Sequence, residues 1–117
     1  MDWLIDYFDA WSRNDGETVA SYMTADIVYE DMALRHRVEG NADFPTFVQQ
    51  SAEFVPGATF EVGTHFATDD NFVAEWIMQP MGVHGVSVGT LRDGKIATNR
   101  DYWDRSHLKL PKKPTDG

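Results

Sequence analysis

A chain of 117 residues, 42% apolar and 13% aromatic, has the length of one domain and enough apolar surface to bury a core, which argues against a disordered chain. It contains no cysteine, so disulfides, thiolate catalysis and cysteine-based zinc sites are excluded too. The formal charge is -9, with 18 acids against 6 Lys/Arg in residues 1–104; so acidic a body repels phosphate backbones, and nucleic acid is not an expected partner.

The segment "MDWLIDYFDAWSRNDG" predicts the first helix. Trp3, Leu4, Tyr7, Phe8 and Trp11 recur at three- and four-residue spacing, and Asp2, Asp6 and Asp9 fall largely on the other side. "RNDG" ends it, with Gly16 expected in a left-handed conformation. "ETVASYM" reads as a short second helix. "DIVYEDM" alternates and predicts a strand, with Ile27, Tyr29 and Asp31 on one face and Val28 and Glu30 on the other. "LRHRVEGN" reads as a connector. "DFPTFVQQSAEF" predicts the third helix, with Asp43 as N-cap, Pro45 in the first turn and Pro56-Gly57 beyond the far end.

From residue 58 the pattern turns to sheet. "ATFEVGTHFA" and "FVAEWIMQ" flank a polar turn at "TDDN"; "VHGVSVGTL" and "KIATNRDYW" flank "RDG", whose Asp93-Gly94 pair predicts a tight hairpin. Gly63, Gly85 and Gly89 interrupt these strands, as bulges or sharp curvature do. The order predicts one α+β domain over residues 1–105: a cone-shaped, curved, mostly antiparallel sheet with three helices on its concave face, enclosing a pocket. Residues 106–117 read as a basic, Pro/Lys-rich tail. No apolar run approaches a membrane span and no basic-then-apolar leader opens the chain, so no membrane partner is expected and the cytoplasm is the expected compartment.

The pentapeptide "RDYWD" is where chemistry is most readable. In a strand, Ala97, Asn99, Asp101 and Trp103 share one face, and Ile96, Thr98, Arg100, Tyr102 and Asp104 belong to the other. Burying Arg100 with Asp104 desolvates two charges, whereas burying Asp101 between Asn99 and Trp103 desolvates one and leaves it a hydrogen-bonding neighbour. Asp101 is therefore expected inside, with a raised pKa suited to acid–base work. Were Tyr29 and Asp31 to converge on it, the cavity would hold a phenol and two coupled carboxyls able to move a proton between positions of a substrate. Asp101, Tyr29 and Asp31 are thus the catalytic candidates, and Trp76, Met78, Asn99 and Trp103 the substrate-binding ones. Each catalytic candidate also has a structural reading: Tyr29 as a core aromatic, Asp31 as a cap on the connector, Asp101 as a buried acceptor for a helix's N-terminal amides.

No two of His36, His65, His84 and His107 sit at metal-ligand spacing, so neither a metal nor a cofactor is expected. "MGVHGVSVGT" lacks the strand–turn–helix context of a nucleotide loop, and Ser87 lacks that of a nucleophile elbow.

The order of elements, with "YMTADIVYEDMAL" after two helices and "LRDGKIATNRDYWD" at the end, resembles the SnoaL-like polyketide cyclases. These belong to the cone-shaped superfamily that includes ketosteroid isomerase, nuclear transport factor two and limonene epoxide hydrolase. The likeness covers residues 3–105 and rests most on "VYEDMAL", "VAEW" and "RDGKIATNRDYWD". It implies a cofactor-independent enzyme performing isomerase, cyclase or hydratase-type acid–base chemistry on an apolar, carbonyl-bearing small molecule. Asp101 stands where the cyclases place their late-strand acid–base aspartate. Tyr29 and Asp31 match the first-strand tyrosine and asparagine of limonene epoxide hydrolase. The arginine–aspartate pair of that enzyme falls at Trp76 and Met78, neither of which ionises, so its mechanism is not implied. The isomerase's tyrosine–acid oxyanion pair has no residue-by-residue match. The connection "QPMGVHG" is shorter than the family usually has, which bears on the size and openness of the pocket. The resemblance also implies a homodimer through the outer sheet face. The same fold serves elsewhere as a non-catalytic ligand-binding or dimerisation domain, which is the alternative expectation.

Overall fold

A computed structural model of the chain describes residues 2–107. Asp2 caps the first helix, α1 (Trp3–Ser12), by accepting the Leu4 amide at 3.1 Å, and its other oxygen meets the His65 imidazole. The apolar stripe read from the sequence is the face that α1 buries, through Leu4, Tyr7, Phe8 and Trp11. The chain then reverses at Asn14, whose φ is 56°, and Asp15 caps α2 (Gly16–Ser21) through the Thr18 amide at 3.2 Å.

This corrects the expectation for Gly16. It is the first residue of α2, and a Cβ there would stand 2.6 Å from Pro45 Cα, so what the position needs is close approach and not a left-handed φ. The third helix, α3 (Phe44–Phe54), carries Pro45 in its first turn and buries Phe44 and Val48. Asp43 precedes it at the end of a 3-10 turn (Asn41–Asp43), but its side chain makes no capping bond.

Six strands form one sheet: β1 (Met23–Asp31), β2 (His36–Glu39), β3 (Thr59–Ala67), β4 (Asn71–Gln79), β5 (Val83–Arg92) and β6 (Lys95–Trp103), in the order β2-β1-β6-β5-β4-β3. β1 and β6 run parallel, and the other neighbouring pairs are antiparallel. β2 corrects the reading of "LRHRVEGN" as a connector. Its one buried residue is Val38, too weak an alternation to read, and the strand exists because its backbone pairs with the edge of β1. Asp93 and Gly94, with φ of 52° and 77°, make the tight β5–β6 turn that their sequence predicts.

The start of β6 departs from strict alternation. Thr98 pairs with Thr90 and Ile96 with Leu91, so Ala97 is an extra residue in the ladder. The bulge reverses parity below it and turns Ile96 fully into the core, which a strict period of two had placed outside. The helices cover the concave face of the sheet, and Leu4, Tyr7, Val19, Ile27, Phe44, Phe72 and Ile96 form the centre of the core. Each such side chain contributes about 1.5–3 kcal/mol by leaving water. The architecture is the expected α+β cone. No helix among the described residues is long and apolar enough to cross a membrane. The basic tail expected from residue 106 onward lies almost wholly outside the described residues.

Candidate functional site

Strand register alone assembles a polar row across the concave face. His36 on β2 pairs with Asp31 on β1, Asp31 with Asp101 on β6, and Asp101 with Ser87 on β5. One row along, Tyr29 pairs with Asn99. Parity then points all six side chains to the same side of the sheet.

Asp101 is the hub. It is 7% exposed, and its carboxylate is held by three donors. Ser87 Oγ donates to Oδ1 at 2.5 Å, Asn99 Nδ2 donates to the same oxygen at 2.9 Å, and the Tyr29 hydroxyl donates to Oδ2. Burial pushes the carboxyl up to about 6, the nearby Asp31 charge adding to the rise while the Ser87, Tyr29 and Asn99 bonds restrain it. Oδ2 keeps an acceptor position with no donor among the described residues. Burial, followed by the Asp101 charge, raises Tyr29 well above an ordinary phenol and raises Tyr7 likewise, so both remain protonated donors. Asn99 gives an amide N–H to Asp101 while its own Oδ1, buried, has no partner among the described residues. An orphaned acceptor is a cost that native interiors seldom carry, and here it accompanies the fixing of one carboxylate.

The Ser87 proton has only one place to go. Trp76 Nε1 donates to Ser87 Oγ at 2.9 Å, so the hydroxyl accepts from the indole and donates onward to Asp101. Asp31 sits nearer the rim, half-buried. Trp103 Nε1 donates to both of its oxygens at 3.0 Å, and the Leu34 amide donates to Oδ1 at 3.0 Å. The backbone bond makes Asp31 a cap of the β1–β2 turn, as one reading of the sequence had it, and the carboxylate faces the cavity as well.

The row floors a cavity of about 340 Å³. Tyr29, Asp31, Trp76, Met78, Asp101 and Trp103 line it, so six of the seven sequence candidates come together there. Asn99 does not reach the wall and acts from behind Asp101. Among the described residues, no group of three or more His, Asp or Glu is arranged to hold a metal ion.

The SnoaL-like domain model matches residues 4–99, most of the chain. The chain belongs to the SnoaL-like domain family. A search of the curated proteins finds no match. Among solved structures, a ketosteroid isomerase-like fold protein from Catenulispora acidiphila, crystallised in complex with trimethylamine, superposes with a TM-score of 0.80 at 14% identity, over 90% of this chain and 87% of that one. A SnoaL-like protein of unknown function from Burkholderia thailandensis gives 0.76 at 14% identity, over 87% and 92%. A candidate polyketide cyclase from Sinorhizobium meliloti gives 0.72 at 20% identity, over 87% and 95%. These likenesses establish the fold.

Ser87, His36 and Tyr7 are among the residues of this SnoaL-like site that were not singled out by sequence. For Ser87 a signal existed. Gly85, Ser87 and Gly89 share one face of β5 and Val86 and Val88 the other, so the inner face is built of small groups that leave room. Gly85 and Gly89 thus mark close approach and not bulges: a Cβ at Gly89 would stand 1.9 Å from the Thr98 carbonyl oxygen. His36 was hidden because β2 was not recognised. Tyr7 belongs to the ordinary apolar stripe of α1, and nothing in the stripe marks it.

Proposed function

We propose that this chain is a cofactor-independent enzyme of acid–base type acting on an apolar, carbonyl-bearing small molecule. The observation that carries the reading is Asp101: a carboxyl at the floor of an aromatic cavity, raised to about 6 and with an acceptor position open on Oδ2. At neutral pH it is mostly the base. In the proposed step the C–H bond beside the carbonyl breaks, its proton passes to Oδ2, and its electron pair moves to the carbonyl oxygen as an enolate. Returning the proton to another carbon completes an isomerisation; in a ring closure the enolate carbon instead bonds a second carbonyl carbon of the substrate, whose π electron pair moves to its oxygen, and the proton returns to that alkoxide. Tyr29 holds the carboxylate in place, and Trp76, Met78 and Trp103 supply apolar walls that strengthen the charge interactions inside.

The test uses an enolisable bicyclic ketone, 2-tetralone, in D2O, with proton exchange followed by NMR. We expect the protein to accelerate exchange beyond a carboxylate buffer and Asp101→Asn to remove at least a hundredfold of that acceleration. Equal rates for the two proteins would sink the assignment.

One observation favours a second reading, a non-catalytic ligand-binding domain. Three protein donors already hold Asp101, as they would hold a structural acceptor. In that case 2-tetralone quenches tryptophan emission without exchanging its protons.

We further propose that a second copy of the chain covers the outer sheet face. That face exposes Phe66, Val88 and Tyr102 on β3, β5 and β6, next to Val73 and Arg100.

A further inference from the structure

The composition of the cavity wall is one-sided. Trp11, Tyr29, Phe47, Phe60, Trp76 and Trp103 present aromatic surface, and Asp31 and Asp101 present carboxylates. Among the described residues no Lys or Arg lines the cavity, and His36 is its one basic side chain. Asp31 makes no ion pair among the described residues; its oxygens accept only from the neutral Leu34 and Trp103 N–H groups. The guanidiniums of Arg13, Arg37, Arg92 and Arg100 meet acids elsewhere on the surface. Asp31 and Asp101 are register partners on adjacent strands, so two carboxyls face one apolar space with no Lys or Arg on its wall to pair with them.

Such a wall discriminates. An anionic ligand would be repelled by both carboxyls and by a body of charge -9. A neutral ligand would gain apolar contact and hydrogen bonds to the polar row, but no charge attraction. A cationic ligand would meet aromatic faces, which attract ammonium groups through their quadrupole, together with the uncompensated carboxylate of Asp31. We propose that the ligand of this cavity is an aromatic or alicyclic organic cation, an amine or quaternary ammonium compound whose charged head lies beside Asp31 at the rim while its apolar body fills the aromatic interior. This rests on reading the cavity as a ligand site, and it narrows the substrate class to carbonyl compounds that carry an amine. The cation then supplies Asp31 with the ion-pair partner that no Lys or Arg on the wall provides.

The experiment compares phenyltrimethylammonium with its uncharged carbon isostere, tert-butylbenzene, and with benzoate. Binding is read by tryptophan fluorescence at pH 8. The wild-type protein is expected to bind the cation and the isostere and to show no saturable binding of benzoate below 10 mM. Asp31→Asn should weaken the cation at least fivefold more than it weakens tert-butylbenzene. Asp31→Glu, which keeps the charge, should hold the cation within about threefold of wild type, and this rescue separates loss of charge from loss of fold. Saturable binding of tert-butylbenzene without the cation, or equal effects of Asp31→Asn on both, overturns the proposal and leaves the ligand site standing. Failure of both probes to bind overturns the ligand site together with the proposal.

Discussion

Gly85 lies under the indole of Trp76: a Cβ on Gly85 would stand 2.3 Å from Trp76 Cη2 and 2.5 Å from Cζ2. The two residues pair across β4 and β5, and the missing side chain lets the ring lie flat enough for Nε1 to reach Ser87. Gly85→Ala should therefore displace the indole, orphan its N–H and release the Ser87 hydroxyl from its one-way bond to Asp101. Overpacking of this kind costs about 1–3 kcal/mol. Urea denaturation should show a loss in that range, accompanied by a red shift of tryptophan emission. An unchanged emission spectrum would mean that the ring does not depend on the glycine.

Ser87→Ala tests the next link. The substitution leaves the Gly85–Trp76 contact alone but deletes a donor to Asp101 Oδ1 and the acceptor of Trp76 Nε1. Because the Ser87 bond holds the Asp101 carboxyl down, its loss should move the carboxyl above about 6, by roughly half to one unit for one hydrogen bond. Carboxyl-carbon NMR titration reads this directly, and the pH profile of proton exchange should move by the same amount. A titration midpoint that stays at the wild-type value would remove Ser87 from the site.

Asp101 also imposes a pH dependence on stability. Its pKa is about 6 in the fold against 3.8 unfolded, so the fold favours the protonated form. That contribution is fully present below pH 3.8 and is lost as pH rises through 6, amounting to on the order of 3 kcal/mol across the window. Asp101→Asn keeps an amide oxygen for Ser87 and Asn99 and has no charge to desolvate. Urea midpoints measured from pH 4 to 7 should fall in the wild type and stay nearly level in this variant, which ends as the more stable protein at neutral pH. A stabilised but inactive variant is the pattern of a functional group kept at a cost to the fold.

How far the sequence could carry this site is visible residue by residue. Asp101 was readable because desolvation cost breaks the tie between two strand parities, and Tyr29 and Asp31 followed from clean alternation in β1. Ile96 was misplaced because parity fails at a bulge, and a bulge is fixed by pairing with another strand, which local sequence does not contain. Gly16 was misread for the same kind of reason: its constraint comes from Pro45, 29 positions away in the chain, and not from its own backbone. Local sequence around Ser87 speaks only to a nucleophile's context, and its place as a donor to Asp101 appears once β5 and β6 are set in register. Pattern locates what a strand's own alternation decides, and it loses what a neighbouring strand decides.

The outer sheet face gives the remaining prediction. Val88 is 41% exposed at the middle of β5, between Val73 on β4 and Arg100 on β6, with Phe66 at 63% in the same row beyond Val73. Val88→Glu places a carboxylate across from the Arg100 guanidinium, so an isolated subunit should accept it within about 0.5 kcal/mol, as surface substitutions usually allow. In a twofold dimer that covers this face, the same charge would be buried against its own symmetry mate, where like charges repel and both lose water. Sedimentation equilibrium at micromolar concentration should show a dimer for the wild type and at least a tenfold weaker association for Val88→Glu, with urea midpoints of the monomeric form unchanged. Two proteins that associate equally would move the interface elsewhere, and a monomeric wild type would remove it.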